Sequence, residues 1–290
     1  MKLLKVFVFL VLQFCQVLLA TEVDNFTDRD VPLKDSRVVL NLKMQTSINK
    51  YIEQTNLSYN CETALRNTKE YFYESLNKEI GGYLWSKYEL EIDRDNDVEK
   101  RHLEKSQSIY KYLTVADGFA LYVARLGSVL NVGGFLVGTD KIGHFIGVGK
   151  SYFSKMKNNH LSLRDVMRYG EKSERTYFGI LSTGIFSYGD LVSNYEGLLY
   201  WQNLFDGENP LVKCVDGRLV NGKDFDWLDY ITDAWDESIN CSVYRNEKIK
   251  QKVSDGIKDS TSANMSCPLI KLSKETIERY SDTPTKILNN

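Results

Sequence analysis

Residues 114–153 set the strongest constraint on how this chain can fold. Small and apolar residues dominate there, with glycines at 118, 127, 133, 134, 138, 143, 147 and 149, in a chain that is otherwise polar. A segment of this kind leaves water, either into a protein core or into lipid. Gly134-x-x-x-Gly138 and Gly143-x-x-x-Gly147 are spacings that let helices approach closely. Residues 119–138 have the length of a membrane span, but Arg125 and Asn131 fall inside it and a charge at mid-bilayer is costly. The expectation is a buried helix pair in a water-exposed domain, with shallow membrane contact as the rival.

Within this block lies Gly138-Thr139-Asp140-Lys141-Ile142-Gly143-His144-Phe145, which holds one of only three histidines. On a helix, residues i and i+4 share a face, so Asp140 and His144 are candidates to act together. Asp140 could orient the imidazole of a general base, as in a hydrolytic site. Alternatively both residues bind a metal, with Glu171 or Glu174 and Asp190 completing the shell. The competing structural account is that Asp140 or Thr139 caps a helix and His144 is a core histidine bonded to a backbone carbonyl. Glu171, Glu174 and Arg175 read as an exposed, locally ion-paired helix face, although Glu174 closely precedes an apolar segment. Asp190 and Asn194 repeat the i,i+4 spacing, and Asp190 also suits a cap with Ser187. Glu196 falls among apolar residues and is expected on the opposite, exposed face, since unpaired buried carboxylates are rare. Asp233, Asp236 and Glu237 flank Trp235 and read as the acidic outer face of a helix. There is no G-x-S-x-G elbow, no H-E-x-x-H and no EF-hand spacing. The candidate catalytic set is therefore His144, Asp140, Glu174 and Asp190, with any cofactor or metal left open.

The N-terminus has the form of a secretory signal. Lys2 and Lys5 precede an almost wholly apolar run over 6–19, which ends at Leu18-Leu19-Ala20 before polar residues. The run is short for a retained membrane anchor. Loss of residues 1–20 would take the formal net charge from −2 to −4. No basic run stands out, which argues against a nucleic-acid partner. The remaining cysteines, Cys61, Cys214, Cys241 and Cys267, are even in number and lack zinc-site spacing. In an exported chain they are expected to form two disulfides, with three connectivities open.

The rest of the pattern favours helix. Only four prolines occur in 290 residues. Periodicity suggests helix from 63 to about 88, interrupted by Gly81-Gly82. Ser162 with Asp165 forms a capping-box pattern, Ser187 starts a second helix over 191–204, and 226–240 is expected to be helical. Cys214 lies in a short alternating segment around Asp216-Gly217, a favoured hairpin turn. The expected organisation is a signal over 1–20, an irregular arm over 21–40, a single helical domain over 41–250 with a β-hairpin near 211–220, and a polar tail over 251–290 pinned by Cys267.

At Asp140-Lys141-x-x-His144-Phe145 the chain resembles a group of uncharacterised bacterial envelope proteins with a D-K-x-x-H-F signature, some of them small periplasmic lipoproteins. VanZ-like membrane proteins carry a similar string, but this chain lacks their several clear spans. The stretch from Gly184 to Leu191 with Asn194, and the block from Asp226-Trp227 to Cys241, look like parts of exported proteobacterial proteins. The resemblance implies an envelope setting and a mainly helical fold, and it supplies no activity. Two functions follow as expectations. One is an exported, periplasmic or secreted helical protein with a structural or interaction role, its partner a membrane surface or envelope component. The other is an envelope hydrolase with an Asp140/His144 site, with metal assistance left open.

Overall fold

A computed structural model describes residues 22–82, 86–176, 178–261 and 266–289. The expected signal over 1–20 lies outside the described residues. The fold is mainly α with small two-stranded antiparallel sheets, as the sequence suggests. In chain order the main elements are α1 (Arg37–Ser58), α2 (Leu65–Ile80), α3 (Lys87–Arg94) and the short α4 (Ala120–Val123). The hairpin of β1 (Val129–Val132) and β2 (Phe135–Gly138) follows. A continuous helical run, α5, is built from Thr139–Gly143, a π-helical turn His144–Val148, and Gly149–Asn159. Then come α6 (Leu163–Glu174), β3 (Ile185–Phe186), α7 (Tyr188–Asn203), β4 (Val212–Val215) and β5 (Arg218–Asn221). Last are β6 (Val243–Tyr244), α8 (Glu247–Ser260) and α9 (Lys274–Arg279).

Local signals explain several of these elements. Ser162 and Asp165 form a reciprocal capping box at α6, and the Ser187 hydroxyl accepts from the Asp190 amide at α7. β4 and β5 pair around Asp216 and Gly217, both at positive φ, as the Asp-Gly turn requires. Cys61 is joined to Cys214, tying the start of α2 to this hairpin, and Cys241 is joined to Cys267.

The block over 114–153 departs from the expected helix pair. Its middle is the β1–β2 hairpin, turning at Gly133 and Gly134, both at positive φ. Val129, Leu130, Val132 and Val137 are all buried, so both faces of the strands are apolar and no alternation marks them. Among the described residues no helix is long and apolar enough to cross a membrane. The close helix approach occurs one step away from the predicted motif. A Cβ at Gly149 would strike the backbone of Gly197, and one at Gly197 would strike the carbonyl of Phe145, so α5 and α7 pack backbone to backbone.

Other differences have similar causes. Residues 226–240 form two 3-10 turns, Trp227–Asp229 and Asp233–Trp235, instead of one helix. Their aromatic residues instead enclose Phe145, whose ring lies 4.9 Å from Trp227, 5.2 Å from Tyr230 and 5.8 Å from Trp235. The N-terminal arm ends earlier than expected, at α1, and is not loose, since residues 22–27 are buried. The Asp24 carboxylate accepts from the amides of Phe26, Thr27 and Ile109 and from the Thr27 hydroxyl, and Tyr110 donates its hydroxyl to the Val23 carbonyl. Helix also continues past 250, into α8, whose Ile249, Val253 and Ile257 complete a second core with Phe26 and Ile109.

Candidate functional site

The N-termini of α5 and α7, the C-terminus of α6 and the loop around 237 meet at one buried point. Asp140 lies in the first turn of α5 and Asp190 in the first turn of α7, where the helix dipole favours a carboxylate. Lys141, fully buried, sits at the centre. Its Nζ is 2.7 Å from Asp140 Oδ2, 2.6 Å from Asp190 Oδ1 and 2.6 Å from Glu237 Oε1. Burial alone would lower the lysine pKa, but the surrounding carboxylates outweigh it and hold the ammonium charged, well above its ordinary range. The Ser187 hydroxyl donates to the same oxygen, Glu237 Oε1, at 2.5 Å.

His144 lies at the edge of this cluster, on the π-helical turn, with its side chain 17 % exposed. Its Nδ1 is 3.0 Å from Asn194 Oδ1, so Nδ1 carries the proton and donates it. The Asn194 amide in turn donates to the Tyr152 hydroxyl at 3.4 Å. The other ring nitrogen, Nε2, faces Asp190 Oδ2 at 3.3 Å. The remaining member is Glu174, 2 % exposed, whose carboxylate makes no hydrogen bond or ion pair among the described residues. One donor atom each from His144, Glu174 and Asp190 lie within 4.8 Å of one another. A second such group, Asp140, Asp190 and Glu237, is already filled by the Lys141 ammonium and needs no metal.

The cluster holds more carboxyl groups than its protein cations can balance. Glu22, buried in the N-terminal arm, adds a fifth carboxylate to Asp140, Glu174, Asp190 and Glu237. Desolvation, with repulsion from Glu237 and Asp190, pushes Glu22 well above the ordinary carboxylate range. Desolvation and repulsion from Asp190 and Glu22 do the same to Glu174. Burial raises Asp140 to about 6 despite Lys141. Asp190 is the exception. Burial opposes its charge, yet His144 and Lys141 hold it below its ordinary value.

All four residues singled out in the sequence, His144, Asp140, Glu174 and Asp190, therefore reach this region, but in different pairings. Asp140 turns to the neighbouring ammonium, whose amide and Nζ it both accepts, and Asp190 takes the place opposite the imidazole. Neither Asp140 nor Thr139 caps α5 with its side chain, and His144 meets a side-chain amide instead of a backbone carbonyl. Glu171, the alternative to Glu174, points outward to Arg175. Asp236 and Glu237 are buried instead of forming an outer acidic face, with Asp236 paired to Arg29 at 2.6 Å. Glu196, expected to be exposed, is fully buried and held by Arg279.

Lys141, Glu237 and Glu22 are not among the site residues expected from the sequence, where Glu237 reads only as part of an outer acidic face. Lys141 stood inside the motif between the two chosen residues, and an ionisable side chain among glycines and apolar residues was the available signal. Glu237 and Glu22 come from opposite ends of the chain, and no local pattern connects them to the motif. Comparison with models of known protein families, with curated proteins and with solved structures finds no match to this chain.

Proposed function

We propose that His144, Glu174 and Asp190 bind one divalent transition-metal ion and that the protein is a metal-assisted hydrolase of an oxidising, extracytoplasmic compartment. The observation that carries this reading is the convergence of one imidazole nitrogen of His144 with one carboxylate oxygen each from Glu174 and Asp190. The 3.3 Å between His144 Nε2 and Asp190 Oδ2 fits two neighbouring ligands of a single ion, which with bonds of about 2.1 Å lie about 3.0–3.4 Å apart. A metal-ligating histidine typically donates its second nitrogen to a fixed acceptor, the role Asn194 plays here. A cation would also offset the burial and the repulsion that raise Glu174 above the ordinary carboxylate range.

A mixed imidazole and carboxylate set suits Zn²⁺, Mn²⁺ or Fe²⁺. Three protein ligands leave a position for water, which such an ion activates at neutral pH. A metal-free general-base role for His144 is less favoured, because Asn194 and Asp190 already engage both ring nitrogens. Lys141 acts as a positioning residue, since it holds Asp190 by its other oxygen, while Asp140 and Glu237 hold Lys141 in place. Both disulfides are compatible with an oxidising compartment. Together with the signal-like N-terminus and the D-K-x-x-H-F resemblance, they support an exported, periplasmic or secreted location.

Elemental analysis of the purified protein, after incubation with Zn²⁺, Mn²⁺ or Fe²⁺ and desalting, tests the site. About one ion per chain is expected, lost in His144→Ala and Glu174→Gln while circular dichroism stays unchanged. A protein that retains no metal, or the same metal content in both variants, would overturn the proposal. His144→Ala that lowers only thermal stability would instead favour the structural or interaction role.

A further inference from the structure

A second feature lies on the surface, in the loops between α3 and β1. His102, Glu104, Lys105, Lys111, Tyr122 and Arg125 line an open cavity of about 550 Å³. Among the described residues, none of Lys105, Lys111 and Arg125 is ion-paired to a carboxylate. Lys105 donates to the Leu113 carbonyl at 2.6 Å and stands 4.5 Å above the Tyr122 ring. Lys111 lies against the Tyr112 ring, and Arg125 approaches His102 Nε2 at 3.4 Å. By contrast, Lys252 pairs with Asp117 and Arg29 with Asp236. The acids nearest the cavity do not balance it. Glu104 lies 3.9 Å from His102 with its side chain largely in solvent, Asp117 is taken by Lys252, and Asp259 accepts from the Tyr112 hydroxyl.

The same stretch exposes apolar surface. Tyr112, Val115, Phe119 and Tyr122 are each 40 % exposed or more. Cations interleaved with aromatic rings match the interfacial zone of a bilayer, where aromatic side chains sit at headgroup level and lysine and arginine meet phosphate.

We propose that the Lys105–Lys111–Arg125 cavity with its exposed aromatic rim docks the protein on an anionic phospholipid surface, the cations taking headgroup phosphates and Tyr122 and Phe119 entering the interface. This reading is independent of the metal site, because the two share no residue. The glycine-rich segment would then reach lipid through its polar, aromatic beginning, with its apolar remainder kept in the core.

Sedimentation with vesicles of phosphatidylcholine, with and without phosphatidylglycerol, tests the proposal. Binding is expected only with the anionic lipid and should weaken as salt is added. Lys111→Gln with Arg125→Gln should reduce partitioning about 25-fold, at about fivefold per cation. Neither side chain hydrogen-bonds to backbone among the described residues, so folding should be kept, which circular dichroism checks. Tyr122→Ser should reduce binding further without altering its salt dependence. Equal sedimentation with both lipids, or unchanged binding by the double variant, would overturn the proposal. So would saturable binding of inorganic phosphate by the protein without vesicle binding, which would make the cavity a site for a soluble phosphate ligand.

Discussion

Two buried carboxylate sites lie on the same helix, α7, and solve the same electrostatic problem differently. At Glu196, one fully buried carboxylate meets one guanidinium. Arg279 donates from Nε at 2.8 Å and from Nη2 at 2.7 Å, and the pair is neutral and geometrically complete. At Asp190, less than two turns earlier, five carboxylates share one ammonium and one imidazole. The first arrangement needs nothing further. The second is stable only with protons on some of its acids or with a cation beside them. An excess of buried like charge is costly to keep, and that cost is the physical reason for assigning function to the Asp190 site and structure to Glu196.

The largest effect should come from removing the central charge. Lys141→Met leaves Asp140, Asp190 and Glu237 facing one another without an ammonium, and should cost about 3–5 kcal/mol in denaturant unfolding. A loss below about 1 kcal/mol would show that protons alone can balance the cluster. Breaking the neutral pair should cost less. Arg279→Met strands Glu196, but the arginine side chain is 35 % exposed and water can replace part of it, so about 1–3 kcal/mol is expected, with metal content unchanged. Loss of metal in that variant would mean that the two sites are coupled and the contrast is false.

The smallest effect is the pH dependence of the metal-free protein. Asp140 is raised from 3.8 to about 6 by burial. In the window between those values the unfolded chain releases a proton that the folded chain keeps, so stability falls as pH rises. Glu22 acts in the same direction. Asp190, held low, acts in the opposite sense, and its contribution is lost at acid pH below that window. Urea unfolding in the presence of a chelator should therefore show stability declining across the window, with a shallower decline in Asp140→Asn. The same slope in both proteins would remove Asp140 from the charge excess.

Much of the local structure was legible in the sequence. Capping residues at Ser162 and Ser187 and the Asp216-Gly217 turn act within a few residues of chain, and each is present as read. The periodic stretch ending at Gly81 is helix α2. The β1–β2 hairpin and the segment over 226–240 were misread as helix. Strands buried on both faces lose their alternation, and aromatic residues spaced to surround Phe145 imitate a helical stripe.

His144, Asp140, Glu174 and Asp190 could be nominated from residue type and from their setting beside glycine-rich, apolar chain, although each also had a structural explanation. Their partners could not. That Asp190 and not Asp140 faces the imidazole follows from the π-helical turn and from Lys141 drawing Asp140 to itself. That Glu22 and Glu237 join them, that Cys61 pairs with Cys214, and that Arg279 reaches Glu196 are contacts between residues far apart in the chain. The sequence by itself determined the mainly helical class, the caps and the turn, since these depend on neighbours within one or two turns. Only the tertiary structure decided which charges share a buried space, because burial and Coulomb interaction depend on distance in space and not along the chain.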